Sequence, residues 1–298
     1  MDIKTPNPPA LHNAAGIKET VQAFYDQVGW QQTEYGVYQN TIYEDLRPVA
    51  REYIHRCHLR VLRHLNPVGK YLLDAGSGPI QYAEYHEYSR GYQFRVCADI
   101  SWVALQEARQ RIGAHGLFVV ADVACLPFKT GCFQGIVSLH TIHHLPQVEH
   151  VQAYKELYRV LSTGSKAVVV NGWKVSPLMR LFDPLVQLVK RSANHNSPQA
   201  DSSPEVTISP SQPQGTFVNK NNAAWLKKEI GRWFPLEIYC WRSVSVGFLR
   251  ALIHPRLGGG WILKAIYRLE ELFPVFFGEK GQYPLVVFRK STITQGAE

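Results

Sequence analysis

The chain has 298 residues, of which 45% are hydrophobic and 19% charged, and its formal net charge is +8. This length fits one large domain, or one domain with a substantial insertion, and the composition is that of a globular protein. Because Lys and Arg are dispersed, we expect a surface charge that favours solubility rather than a nucleic-acid site. The five cysteines form no CxxC pair, which argues against a zinc site and favours a reducing cytoplasm. No run of about 18 apolar residues occurs, so we predict no transmembrane segment.

The amino-terminal part of the chain divides into two segments. Residues 1–15 are rich in Pro and Asn and lack the apolar core of a signal peptide, so we predict a disordered leader. Residues 16–69 are predicted to be mainly helical. Tyrosines crowd this segment, and their rings suit either amphipathic packing or a pocket for a cationic ligand. They are Tyr25, Tyr35, Tyr38, Tyr43 and Tyr53.

A short apolar run, Tyr71-Leu72-Leu73, leads into the glycine-rich turn Asp74-Ala75-Gly76-Ser77-Gly78-Pro79. The run predicts a buried strand of a parallel sheet. Gly76 and Gly78 remove side chains where a ligand approaches the backbone closely. We expect a helix directly after the turn, with free N–H groups at its start.

Further apolar strands end in acidic or polar residues. One strand ends at Asp99, twenty-three residues after Gly76, and another ends at Asp122. An acidic residue about 20 residues after such a turn accepts hydrogen bonds from a ribose in doubly wound folds. Two more strands are predicted at 136–140 and 167–171, with helices at 101–113 and 147–161. Alternating strands and helices predict an α/β sheet that binds ligands at the carboxyl ends of its strands.

Five blocks in this order resemble class I S-adenosylmethionine (SAM) dependent methyltransferases, within the type 11 group of quinone and small-molecule methyltransferases. Two departures accompany the likeness: Ile80 replaces the third glycine, and 161–165 replaces the usual leucine-lysine-proline-glycine-glycine. The blocks are Asp74–Pro79, Ala98–Ser101, Ala121–Phe128, His143–Pro146 and Tyr158–Ser165.

The resemblance implies a Rossmann-like, seven-stranded, mostly parallel sheet with SAM as cofactor and 70–172 as the SAM-binding core. It implies that Asp74 orients the glycine turn, Asp99 holds the ribose hydroxyls and Asp122 meets the adenine amino group. It also implies that 16–69 folds over the cofactor. The implied cofactor-binding residues are Asp74, Ala75, Gly76, Ser77, Gly78, Asp99, Ile100, Ala121, Asp122, Val123, Leu139, His140 and Tyr25.

Three histidines follow the fourth strand, in His140-Thr141-Ile142-His143-His144-Leu145-Pro146. We predict no metal, because no acid or cysteine has ligand spacing to them. His140 or His144 is a candidate general base, since histidine titrates near working pH. Packing and loop hydrogen bonding are the alternative roles. Methyl transfer to a neutral amine or a stabilised carbanion needs no base, because the sulfonium already activates the methyl group.

The carboxyl-terminal part contains an insertion and the end of the sheet. Residues 173–222 are predicted as an insertion with a flexible Ser-, Pro- and Asn-rich loop. Residues 223–298 complete the sheet with an antiparallel strand pair. Between those strands, 246–280 alternates apolar and basic residues, which predicts either a helical cap on the sheet or an amphipathic pair that contacts a membrane surface.

The resulting interpretation is an enzyme that transfers a methyl group to an O, N or C atom of a small, hydrophobic or aromatic metabolite by in-line displacement. We expect a small-molecule or lipid-like acceptor and no nucleic acid, because no Asn-Pro-Pro-Tyr block follows the fourth strand. Two other functions stay open. One is a non-catalytic SAM-binding or scaffold protein; the other is a nicotinamide-dependent oxidoreductase, against which Ile80 argues because that class needs a third glycine.

Overall fold

The computed structural model describes residues 9–30, 44–195 and 216–291, with side chains described from 14 to 191 within the first two ranges. Seven strands form one sheet in the order β3-β2-β1-β4-β5-β7-β6, and β7 alone runs antiparallel to its neighbours. The predicted Rossmann-like, mostly parallel sheet is therefore confirmed. The strands are β1 (Gly69–Ala75), β2 (Tyr92–Asp99), β3 (Gly116–Val120), β4 (Phe133–Leu139), β5 (Leu161–Val170), β6 (Leu236–Arg242) and β7 (Tyr283–Arg289).

Helices cover both faces of the sheet, because its central strands are apolar on both sides. Leu72 and Leu73 are each fully buried but belong to different core clusters, as successive side chains of a strand point to opposite faces. The helices are α1 (Pro9–Phe24), α2 (Pro48–Leu59), α3 (Glu84–Glu87), α4 (Trp102–Ile112), α5 (Gln147–Val160), α6 (Pro177–His195), α7 (Ala223–Glu229), α8 (Val246–Leu252), α9 (Gly259–Leu272) and α10 (Pro274–Lys280).

A third apolar cluster joins α2, α6, α8 and α9 into a helical cap beside β6. Buried Glu270 of α9 connects this cap to the sheet. Its carboxylate accepts hydrogen bonds from Tyr53 Oη of α2 at 2.7 Å, from Arg60 Nη1 at 2.9 Å and from Ser243 N, just after β6, at 2.8 Å. One carboxylate therefore holds three separate parts of the chain together.

Two expectations for the amino-terminal half need correction. The first helix begins at Pro9, so the predicted disordered leader does not extend to residue 15, and residues 1–8 lie outside the described ranges. Proline is favourable at a helix start, and the alanines that follow favour a helix. The prediction of a helix directly after the glycine turn is also wrong, because the next helix, α3, begins only at Glu84 and spans four residues. The turn itself ends in Pro79 and Ile80, and Ile80 adopts φ +55°, which is incompatible with a helix.

The predicted insertion 173–222 is partly ordered structure. Residues 177–195 form one continuous helix, α6, which includes Pro184, and the predicted flexible loop falls largely on 196–215, outside the described residues. Asn222 caps α7 by accepting a hydrogen bond from Trp225 N at 2.8 Å. In the described ranges, no helix combines the length and the apolar character that crossing a bilayer requires.

Replacing Glu270 should lower the free energy of unfolding more than replacing the neighbouring Glu271. Glu270→Ala should lower the free energy of unfolding by about 3–5 kcal/mol, because the buried donors of Arg60, Tyr53 and Ser243 all lose their shared acceptor. Glu271→Gln, the matched control, should cost about 1 kcal/mol or less, because Glu271 is partly exposed. Urea unfolding followed by circular dichroism measures both. Equal losses for the two variants would contradict the connecting role of Glu270.

Candidate active site

The carboxyl ends of the parallel strands border one cavity of about 340 Å³. This volume lies within the range of about 300–1,000 Å³ that is usual for small-molecule sites. Twelve of the thirteen predicted cofactor-binding residues line the cavity, and His144 lines it as well. Ala75 does not line it, because its side chain is fully buried in β1 and its carbonyl accepts a hydrogen bond from Ser138 Oγ. Their roles toward a cofactor stay predictions.

The glycine turn forms a floor without side chains. Gly76 has φ +73°, and a Cβ built there would lie 2.1 Å from Thr141 Oγ1, so any side chain would collide with the turn after β4. Gly78 has φ +54°, and a Cβ there would meet the ring of Trp30 at 3.0 Å. The Gly76 N–H donates to the Ala98 carbonyl at 2.7 Å, which ties the turn to the end of β2. Backbone contacts therefore fix this floor.

Asp74 forms a buried ion pair that the sequence interpretation missed. Arg95 Nε donates to Asp74 Oδ2 at 3.1 Å, and Arg95 Nη2 contacts the same oxygen. Both side chains are almost fully buried on neighbouring strands β1 and β2. Asp74 also lines the cavity, so it borders the site while Arg95 already balances its charge.

Asp99 accepts two backbone hydrogen bonds that hold its carboxylate at the end of β2. Gly78 N donates to Oδ2 and Ser101 N donates to Oδ1, both at 2.9 Å. Burial nevertheless raises the pKa of Asp99 to about 6, against the opposing effect of these two N–H groups. The carboxylate of Asp99 is thus fixed in place, but its charge lacks a cation.

Helix α1 crosses the ends of β2 and β3 and supplies partners from one helical face. Lys18 Nζ pairs with Asp122 Oδ2 at 2.5 Å and with Glu149 Oε2 at 2.6 Å. Gln22 Nε2 donates to the Ile100 carbonyl at 3.0 Å, and Asp26 accepts from the Ser101 hydroxyl. Lys18 and Gln22 are four residues apart and so lie on one face of α1, and Asp26 lies in the helical turn Tyr25–Gly29 that follows α1.

Tyr25 and His144 form a hydrogen-bonded pair at the cavity wall. His144 Nδ1 lies 2.8 Å from the Phe217 carbonyl, so Nδ1 must carry the proton, because a carbonyl only accepts. His144 Nε2 is then the acceptor for the Tyr25 hydroxyl, 2.8 Å away. Burial lowers the pKa of His144 to about 4, so the ring is neutral at physiological pH. Donating its proton leaves the Tyr25 oxygen able to accept one.

His140 is held in a strained backbone conformation with φ +56°, which a side-chain-bearing residue seldom adopts. Its N–H donates to the Val170 carbonyl at 2.7 Å, and this contact with β5 fixes the turn. Burial and the nearby Arg242 lower the pKa of His140 to about 3. Among the described residues, neither ring nitrogen of His140 has a hydrogen-bond partner. The cavity therefore contains a neutral imidazole that can accept or donate a hydrogen bond.

Beyond β4 the cavity wall is aromatic and includes residues that the sequence interpretation did not select. Trp241 at the end of β6 and Tyr283 at the start of β7 meet His140 edge to face, with ring centroids 5.1 and 5.8 Å away. Arg242 pairs with buried Glu44, and Lys220 borders the same space. Glu44 and Arg242 are separated by 198 residues, so no spacing pattern could have revealed their contact.

These residues fit a SAM molecule laid across β1, β2 and β3. The side-chain-free glycine floor admits close approach, Asp99 offers a carboxylate to a diol, and aromatic rings suit a sulfonium. Asp122 at the β3 end is already bound by Lys18 and by Ala124 N at 2.8 Å. No cluster of three or more metal-binding side chains occurs in the parts of the chain that the structure describes.

Comparison with known proteins identifies the central region. Residues 73–169 match the family model described as a methyltransferase domain. No curated protein sequence matches the chain. Phosphoethanolamine N-methyltransferase 2 from Haemonchus contortus, solved with S-adenosyl-L-methionine, is 16% identical with a TM-score of 0.51, over 91% of this chain and 60% of that one.

One bacterial and one archaeal structure are also similar to this chain. The YcgJ protein of Bacillus subtilis is 14% identical with a TM-score of 0.47, over 80% of this chain and 99% of that one. The PH0226 protein of Pyrococcus horikoshii is 16% identical with a TM-score of 0.49, over 84% of this chain and 96% of that one. At these identities, what is shared with solved structures is the fold.

The pKa of Asp99 predicts a pH-dependent affinity for SAM. Ionising Asp99 is unfavourable in the folded protein, so it reduces folding stability as pH rises from about 4 to 6. A ribose diol that donates to the carboxylate favours the ionised form. The affinity for SAM should therefore rise about tenfold between about pH 5 and 7, with proton release near pH 6.

Calorimetry in two buffers of different ionisation enthalpy measures both quantities. Asp99→Asn should bind SAM more weakly and without this pH dependence. Asp183→Asn, on the exposed side of α6, changes the net charge equally and should behave as the parent does. An affinity that does not respond to Asp99→Asn would show that the ribose lies elsewhere.

Proposed function

We propose that this class I SAM-dependent methyltransferase transfers a methyl group to a small hydrophobic or aromatic acceptor by in-line displacement. SAM is its cofactor, and when bound it supplies a methyl group activated by a sulfonium. In the transfer, an O, N or C atom of the acceptor forms a bond to the methyl carbon as the carbon–sulfur bond breaks, which leaves a neutral thioether. The chain's own task is to bind both molecules and to align them.

One observation carries this proposal: a single cavity extends from the glycine turn to an aromatic wall. The carboxyl ends of β1, β2 and β3 contribute the turn, Asp99 and Asp122. The carboxyl ends of β4 and β6 and the start of antiparallel β7 contribute His140, Trp241 and Tyr283. Rings at the second end suit a flat, apolar acceptor. An acceptor held there would face the methyl group of a cofactor held at the first end.

The Tyr25–His144 pair offers a route for the acceptor's proton. A hydroxyl acceptor loses its proton during transfer, and the Tyr25 oxygen can receive it while passing its own proton to His144 Nε2. The His144 Nδ1–H bond to Phe217 fixes the tautomer that this relay needs. His140, with its pKa lowered to about 3, is the weaker base and is better suited to orient the acceptor by a hydrogen bond.

Cofactor binding and turnover test this function in sequence. Calorimetric titration should give a micromolar dissociation constant for SAM and no binding of NADH. Phenols, quinols and amines are then screened for release of S-adenosylhomocysteine. For a hydroxyl acceptor, Tyr25→Phe should lower kcat about a hundredfold and keep the SAM affinity, because the ring remains.

The outcomes separate the alternatives. SAM binding without turnover on any acceptor would favour a non-catalytic SAM-binding protein, and NADH binding would favour an oxidoreductase. An unchanged kcat of Tyr25→Phe with a hydroxyl acceptor would remove the relay but leave methyl transfer in place.

A further inference from the structure

We infer that the methyl acceptor carries an anionic oxygen group, a carboxylate or a phosphate, that binds to Lys220. The inference rests on the proposed function and narrows its substrate class. Lys220 lines the cavity, and its ammonium lies beside Gly172, two residues after β5: a Cβ built on Gly172 would be 3.2 Å from Lys220 Nζ.

The charges around the cavity leave Lys220 as a cation that needs a partner. Every acidic side chain in the wall is already engaged, by an ion pair or by backbone N–H groups. These engagements are Glu44 with Arg242, Asp74 with Arg95, Asp122 with Lys18, and Asp99 with Gly78 N and Ser101 N. Within the described ranges Lys220 has neither an ion pair nor a hydrogen bond, and its burial lowers its pKa.

The position of Lys220 assigns it to the acceptor rather than to the cofactor. The glycine turn follows β1, and β4 lies between β1 and β5 in the sheet. Neighbouring strands are about 4.8 Å apart, so the β5 end is about 10 Å from the β1 end. The SAM carboxylate would lie beside the glycine turn, which leaves Lys220 to the acceptor.

Matched probes test the inference on the complex with S-adenosylhomocysteine. Benzoate and phenyl phosphate are titrated against benzamide, which has the shape of benzoate without its charge. At least one anion should bind about tenfold or more tightly than benzamide, the size expected of a charge-assisted hydrogen bond. Lys220→Met should abolish that difference and Lys220→Arg should keep part of it.

The two hypotheses fail in different ways. Absent binding of S-adenosylhomocysteine to the parent protein would refute the proposed function. Normal cofactor binding with no preference for the anions, or with a preference that survives Lys220→Met, would overturn the anion site alone. A loss of S-adenosylhomocysteine affinity in Lys220→Met would instead assign Lys220 to the cofactor carboxylate.

A different observation carries a second proposal: we propose that the outer face of α9 and α10 docks on an anionic lipid surface. The inner face of α9 is buried through Leu263, Tyr267 and Glu270. The opposite face of α9 exposes Trp261 and Leu272, and further large apolar side chains are exposed just before α9 and from its end into α10. Together they are Leu257, Trp261, Leu272, Phe273, Val275 and Phe276, and the first three are 74%, 75% and 70% exposed.

Charge selects lipid over another protein surface. Arg256, Lys264 and Arg268 are exposed among these apolar residues, and Lys264 Nζ lies 4.6 Å from the centre of the Trp261 ring. The acids of α9 and α10 are all engaged elsewhere: Glu270 and Glu271 with Arg60, and Glu279 with Lys227. The face is therefore positive throughout, which opposes pairing with a second copy and suits an anionic headgroup layer.

Flotation of the full chain with vesicles tests this docking surface. Vesicles of phosphatidylglycerol and phosphatidylcholine in equal parts should bind the protein, and pure phosphatidylcholine vesicles should bind it much more weakly. Lys264→Gln and Arg268→Gln together should weaken binding about 25-fold, at about fivefold for each basic side chain. Trp261→Ser with Leu272→Ser should weaken it at least as much.

Trp102→Ser is the matched control, because Trp102 is 57% exposed on α4, which packs near β3 at the opposite edge of the sheet. It should leave vesicle binding unchanged, and SAM affinity should verify that each variant is folded. Absence of vesicle binding, or binding that Trp261→Ser with Leu272→Ser leaves intact, would overturn the proposal. Self-association lost in that variant would instead identify an interface between copies.

Discussion

The parallel alignment of β1 to β5 determines where the cavity of this protein lies. Strands that run in one direction end at the same edge of the sheet, so the residues after each strand meet although they are distant in sequence. The backbone contacts between strand ends then fix the edge: Gly76 N bonds to Ala98 O, and His140 N bonds to Val170 O. The glycine floor and the strained His140 both depend on these contacts, and the cavity depends on both.

Helix α1 completes this edge by electrostatics as much as by packing. Lys18 and Gln22 of α1 and Tyr25 in the helical turn that follows it reach the ends of β3, β2 and β4, so one continuous segment contacts three strand ends. Lys18 forms an ion pair with Asp122, and the Tyr25 hydroxyl donates a hydrogen bond to His144 Nε2. The same segment therefore lines the cavity and supplies partners to its titratable side chains.

The sequence predicts the sheet well because its signals are local. Apolar runs such as 71–73 and 167–170 end in residues that point to the ligand edge, and the period and length of each run are sufficient to locate a strand. The ion partners were missed because they are non-local: Lys18 and Asp122 are 104 residues apart, and no spacing rule relates them. Lys220 was missed because an unpaired lysine has no sequence signal until the cavity around it is known. The sequence does not locate the start of the first helix, because Pro and Asn are typical of disorder while Pro is also common at a helix start.

The sequence of the helical cap favours two interpretations, packing on the sheet or contact with a membrane surface, and the structure shows which face is packed. Apolar residues of α9 occur on two faces, so periodicity alone cannot assign one of them to a core. Leu263 and Tyr267 pack inward, while Trp261 and Leu272 are exposed. Glu270 fixes this orientation of α9, because it accepts a hydrogen bond from Ser243 N, just after β6. Since Trp241 and Arg242 of the same strand line the cavity, the carboxylate that orients the cap also fixes the position of the cap relative to the cavity. One strand, β6, thus holds both the cap with its exposed outer face and one wall of the cavity.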